Sequence, residues 1–152
     1  MMFSEEDYYW MQQALDLANK AKENHEVPVG AILIDNNQVI GKGYNSPITL
    51  HDPTAHAEMV ALREAANTVN NYRLPNTTLY VTLEPCMMCA GAIVHARIKR
   101  LVFAARDPRA GAIVSVANLL DQSFLNHRVV YSGGLFEEKS SLLLKQFFQE
   151  RR

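Results

Sequence analysis

Residues 56–58 read His-Ala-Glu and residues 85–89 read Pro-Cys-Met-Met-Cys, with 30 positions from the histidine to the first cysteine. No other cysteines occur in the 152-residue chain. A Cys-x-x-Cys pair by itself reads as a redox dithiol, as half of a structural zinc site or as half of a catalytic one. Two cysteines do not close a structural zinc site, which takes four Cys or His ligands. His56 supplies a third donor at the start of a predicted helix, and Glu58 adds a carboxylate two residues on. At a helix start these two side chains diverge, so the imidazole can ligate while the carboxylate faces a bound water. Three protein ligands with a fourth position open is the arrangement of catalytic zinc. Any fold available to the chain therefore has to bring two helix N-termini, each with free N–H groups and a positive dipole end, to one point.

The rest of the composition allows that. Hydrophobic residues make up 48% and charged residues 20% of the chain, a globular balance over the length of one domain, residues 1–152. The N-terminal MMFSEEDYYW is acidic and aromatic, unlike a secretory or transit peptide. Apolar stretches such as VPVGAILI are far shorter than a membrane span of roughly 20 residues. A cytoplasmic protein without membrane association is expected. The net charge of −1 argues against non-specific nucleic-acid binding, but the charge is unevenly placed. Bases gather in Arg97, Lys99, Arg100, Arg106, Arg109 and Arg128, and again in Arg151 and Arg152. Such a surface can hold phosphates or can be an ordinary solvated face.

Periodicity predicts a helix over 5–24, with Tyr8, Met11, Leu15, Ala18 and Ala21 on its apolar side and Ser4 as N-cap. VGAILI and QVIGKGY flank Asp35-Asn36-Asn37 as a hairpin. A loop containing Pro47 follows, then a helix from Asp52-Pro53-Thr54, capped by Asp or Thr, to about Val69. TLYVTL, RLVFAA and RVVYSG read as strands, CAGAIVHA as a short helix, and 135–150 as a helix with Leu143, Leu144, Phe147 and Phe148 in a stripe. The order αββαβαβ(α)βα points to an α/β domain with a sheet covered by helices on both faces.

The H-x-E…P-C-x-x-C arrangement resembles the zinc nucleobase-deaminase signature. NSPITLHDPTAHAEMVAL, LYVTLEPCMMCAGAIVHARI, VFAARDPRAGA, NHRV and LLLKQFFQERR resemble one branch, the bacterial tRNA-specific adenosine deaminases within the cytidine/deoxycytidylate deaminase superfamily. The resemblance implies a cytidine-deaminase-like three-layer α/β/α sandwich with a mixed sheet of about five strands. It implies one Zn2+ per chain on His56, Cys86 and Cys89, and a homodimer. The implied reaction is hydrolytic deamination of adenosine to inosine at the wobble position of an arginine tRNA anticodon, by zinc-activated water with Glu58 as proton shuttle. The tRNA anticodon stem-loop is the implied partner.

Other site assignments stay open at this level. Asn45 is either a nucleoside contact or a turn former; Val27 and Ala57 either border the base or pack in the core. Asp107 either accepts from a ribose 2′-OH or pairs with Arg106 or Arg109. Arg106, Arg109, Arg151 and Arg152 are candidate RNA contacts. A zinc deaminase of free cytosine, guanine or a nucleotide shares the motif, and so does an RNA-binding zinc subunit without turnover.

Overall fold

The computed structural model describes residues 2–151. Helix α1 (Glu5–Glu23) opens with a reciprocal capping box. The Asp7 N–H donates to Ser4 Oγ at 3.1 Å, and the Ser4 N–H donates back to Asp7 Oδ2 at 3.0 Å. Strands β1 (Gly30–Asp35) and β2 (Gln38–Tyr44) form the expected hairpin. Its two-residue turn has Asn36 and Asn37 at φ 49° and 63°, the left-handed pair of a primed turn, which asparagine tolerates. Helix α3 (Ala57–Val69), strand β3 (Thr77–Leu83), helix α4 (Met87–His95), strand β4 (Arg100–Ala105), strand β5 (Val130–Gly133) and helix α5 (Glu137–Glu150) complete the frame. The sheet order is β2-β1-β3-β4-β5; β1 runs antiparallel to both neighbours, and β3, β4 and β5 are parallel.

Side-chain alternation along the strands builds the two outer layers. Ala31, Leu33, Leu79, Val81, Leu101 and Phe103 face α3 and α4. Ile32, Ile34, Tyr80, Val102 and Ala104 face Trp10, Met11 and Ala14 of α1. Small residues allow the helices to lie close to the sheet. Ala57, Ala61 and Ala65 recur every fourth position on α3 and are fully buried. Opposite them sits Gly41, where an added Cβ would lie 2.3 Å from the Ala61 carbonyl oxygen. Gly30 is matched in the same way to Ala14 and Ala18 of α1.

Four expectations shift. The helix expected from Asp52 begins only at Ala57. Asp52 Oδ1 instead accepts from the Thr54 N–H at 2.9 Å and from Thr54 Oγ1 at 2.7 Å, closing a turn that holds Pro53 outside the helix. Pro47 opens a one-turn helix, α2 (Pro47–Leu50), where a loop was expected. The element anticipated between β4 and β5 is only a 3-10 turn at Leu119–Asp121. Tyr8 also leaves the buried side of α1: it is exposed, and its ring stands edge-on to Phe136. Among the described residues no helix is long and apolar enough to cross a membrane.

Candidate metal centre and active site

His56 and Cys86 each stand as the N-cap of a helix, His56 of α3 and Cys86 of α4, and neither side chain caps its own helix. That leaves the imidazole and the thiol free. For α3 the missing cap is supplied from a distance: Asn45 Oδ1 accepts the Ala57 N–H at 3.0 Å. Cys89 lies one turn into α4 and is fully buried, while His56 and Cys86 are half-buried. The three donor atoms lie within 4.8 Å of one another.

The spacing inside this cluster is that of a ligand set. His56 Nδ1 is 3.6 Å from Cys86 Sγ and 3.7 Å from Cys89 Sγ. A single ring N–H cannot point at two sulfurs, so hydrogen bonding alone does not account for two near-equal distances. A tetrahedral zinc with its usual bonds to nitrogen and sulfur has an N···S edge of about 3.6 Å. One imidazole and two thiol groups also suit zinc chemically. The residues present therefore fit a zinc ion.

Proton affinities within the cluster follow from the same proximity. Hydrogen bonding from the Cys89 thiol, and then from His56, pulls Cys86 down to about 3 against the opposing effect of burial. Cys89 moves the other way, raised by its bond to Cys86 and by burial. His56 is raised, chiefly by the hydrogen bond to Cys86. One thiolate is thus already favoured, and a metal displaces the remaining protons.

Glu58 occupies the first turn of α3 and is 4% exposed. Burial, reinforced by the negative Cys86, pushes its carboxyl up to about 7 against bonding from its own backbone and the charge of His56. A carboxyl poised near neutrality can both take and give a proton.

Two further carboxylates, not singled out from sequence, shape the surroundings. Glu84, at the end of β3, is 2% exposed. Its oxygens accept from the backbone N–H groups of Asp107 (3.1 Å), Ile113 (3.1 Å), Val114 (2.8 Å) and Ser115 (2.9 Å), and from the Ser115 hydroxyl. Glu26 accepts from the Thr49 N–H and Thr49 Oγ1, both at 2.8 Å, and from the Ile48 N–H at 3.4 Å, fastening α2. The only local hint of Glu84 in the sequence is an acid closing an apolar strand immediately before a proline.

The other candidates distribute unevenly. Asn45 has its oxygen engaged by the start of α3. Ala57 is fully buried and Val27 packs against the same core. Asp107 Oδ1 accepts from the Arg109 N–H at 3.0 Å and the Ala110 N–H at 3.3 Å, so it pairs with backbone rather than with an arginine side chain. Arg106 and Arg109 are exposed. Arg151 stacks its guanidinium 4.1 Å from the centre of the buried Phe147 ring; Arg152 lies outside the described residues. Arg100 is only partly exposed and forms a forked pair with Asp7 at 2.8 and 2.9 Å.

Known proteins agree with this geometry. The family model for the cytidine and deoxycytidylate deaminase zinc-binding region matches residues 4–105. The tRNA-specific adenosine deaminase of Haemophilus influenzae is 53% identical over 98% of this chain and 87% of its own length. That of Bacillus subtilis is 42% identical over 97% of this chain and 91% of its own. A structure from work on A-to-I editing by tRNA:A34 deaminases at the wobble position superposes with a TM-score of 0.87 at 43% identity, covering 90% of this chain and 99% of the other. A guanine deaminase structure from Nitrosomonas europaea shares the fold at TM-score 0.78 and 23% identity, over 97% of this chain and 86% of that one.

Proposed function

The chain belongs to the cytidine and deoxycytidylate deaminase zinc-binding family, and from that premise we propose that it deaminates adenosine to inosine at the wobble position of a tRNA anticodon. The observation that carries the reaction class is the ligand set: His56 Nδ1 within 3.6 and 3.7 Å of two cysteine sulfurs, with Glu58 buried in the first turn of the same helix. The near full-length likeness to tRNA-specific adenosine deaminases supports the substrate.

In this reading His56, Cys86 and Cys89 hold one zinc ion, whose Lewis acidity makes water a nucleophile at neutral pH. Glu58 takes a proton from the attacking water at a carboxylate oxygen and delivers it to adenine N1 as oxygen adds to C6. It then takes the second proton from the oxygen added at C6 and passes it to the exocyclic amino group as the C6–N6 bond breaks, and ammonia leaves. Adenosine and water become inosine and ammonia, with Glu58 returned to its starting state. Its burial excludes bulk water from both transfers. Asn45, Val27 and Asp107 border the nucleoside with Ala57 packed behind them in the core, and Arg106, Arg109 and Arg151 meet the flanking phosphates. An anticodon loop suits such a site because its bases are already unpaired and turn out at small cost.

Three finer statements belong to the same proposal: residues 1–152 form one deaminase domain, the tRNA is an arginine tRNA, and the enzyme is a cytoplasmic homodimer. An apolar groove of about 370 Å³ on the outer side of α3 and α4, lined by Met59, Leu62, Ala66, Tyr72, Ala92 and Ala96, supports a second copy as its cover; light scattering tests it. For the reaction, tRNA incubated with the enzyme and sequenced should carry inosine at the wobble position. Unchanged tRNA with consumption of free guanine or cytosine would replace this reading by that of a free-base deaminase.

A further inference from the structure

We infer that Glu84 is a positioning residue for RNA recognition: it folds the segment 106–115 into the shape that presents Arg106, Asp107 and Arg109 beside the metal cluster. The inference rests on the tRNA deaminase reading and adds to it the group that shapes the RNA-facing loop.

Between β4 and the 3-10 turn at Leu119–Asp121 the chain has no strand or helix to hold it. Its backbone donors must still find acceptors. Four of them, from Asp107, Ile113, Val114 and Ser115, converge on the two oxygens of Glu84, together with the Ser115 hydroxyl. A carboxylate that accepts several N–H groups is held as the anion and acts as a fixed template for the chain wrapped around it. The close approach has a sequence counterpart in Gly111: a Cβ there would lie 2.4 Å from the Glu84 carboxyl carbon.

The same loop is fixed to the metal cluster. The Ala112 N–H donates to the Pro85 carbonyl at 2.9 Å, next to the Cys86 ligand. At its open side, Asp107 Oδ1 turns the chain through Arg109 and Ala110, leaving both arginines exposed. Glu84 therefore connects the strand carrying the metal-site helix to the residues best placed to meet nucleotides flanking the target.

Full-length Glu84→Gln protein, with Ser115→Ala/Gly111→Ala as a second variant, provides the test. Four quantities are read: zinc per chain, trypsin cleavage after Arg106 and Arg109, and KM and kcat on an anticodon stem-loop RNA. The inference expects zinc retained at the wild-type level and cleavage at least five-fold faster at those two arginines. It also expects KM raised at least five-fold, with kcat changed less than KM. Should Glu84→Gln fail to fold, the second variant is expected to show the same pattern. Wild-type cleavage and KM would overturn the inference. So would loss of zinc as the main defect, which would assign Glu84 to the metal helix instead. If the wild-type protein leaves the stem-loop unchanged, the tRNA reading fails, while the cleavage comparison still judges the loop.

Discussion

Single side chains divide here into those that meet the reaction and those that hold such groups in place. Glu58 belongs to the first kind in the proposed mechanism. Glu58→Ala should leave zinc at one per chain while lowering kcat by about 10²–10⁴, the usual contribution of a positioned proton-transfer group; metal analysis and single-turnover kinetics check it. Asp7 belongs to the second kind. It ties the start of α1 to β3 and β4 by accepting from Tyr80 Oη at 2.7 Å and from both terminal nitrogens of Arg100. Burial works to raise its pKa, yet the bonds from Arg100, Tyr80 and Ser4 outweigh it and lower the value from 3.8 to about 2. A folded-state value below the unfolded one contributes stability that is complete above pH 3.8 and is lost as the pH falls through about 2. The unfolding free energy of wild type should therefore fall by about 2 kcal/mol more than that of Asp7→Asn between pH 6 and pH 2, measured by denaturant melts.

At the scale of elements, most of the frame is legible because strands and helices carry their own periodicity. β2 and β4 have the expected bounds, and α1, β3 and α5 differ from expectation by only one or two residues. The start of α3 was not legible. Asp52, Pro53 and Thr54 have the composition of a helix start, but they form a turn closed by the Asp52 carboxylate. The helix begins where Asn45, twelve residues earlier in the chain, meets the Ala57 N–H. Local propensity lists several acceptable caps; which one acts depends on which backbone N–H has a partner in space. The fit of α3 to β2 allows a sharper test. Gly41→Ala places a methyl group 2.3 Å from the Ala61 carbonyl, where only backbone movement can make room. It should cost about 1–3 kcal/mol, seen as a lower denaturant midpoint with unchanged slope, and an unchanged midpoint would contradict the packing described.

For the whole molecule, a zinc ion on His56, Cys86 and Cys89 would tie together two helix starts that come from distant parts of the chain. His56 begins α3 and Cys86 begins α4, so one ion on both couples two helices of the same outer layer. Chelation should lower the melting temperature by roughly 5–10 °C, restored by one equivalent of zinc, since a ligand present at about 100 times its Kd contributes about 2.7 kcal/mol. The His56→Ala protein should show the lower temperature with or without zinc.

The amino-acid sequence by itself determined the donor set of the metal site and the layered α/β order. Each of these rests on residue type at a repeating or family-typical spacing, so it can be read along the chain. Only the tertiary structure decided that Asn45 caps α3, that Arg100 pairs with Asp7, and that Glu84 gathers the donors of a loop 23 to 31 positions away. Hydrogen bonds of that range have no period and no local motif. An acid or an amide in a loop accepts equally well from many donors, and folding the sheet is what selects the one it meets.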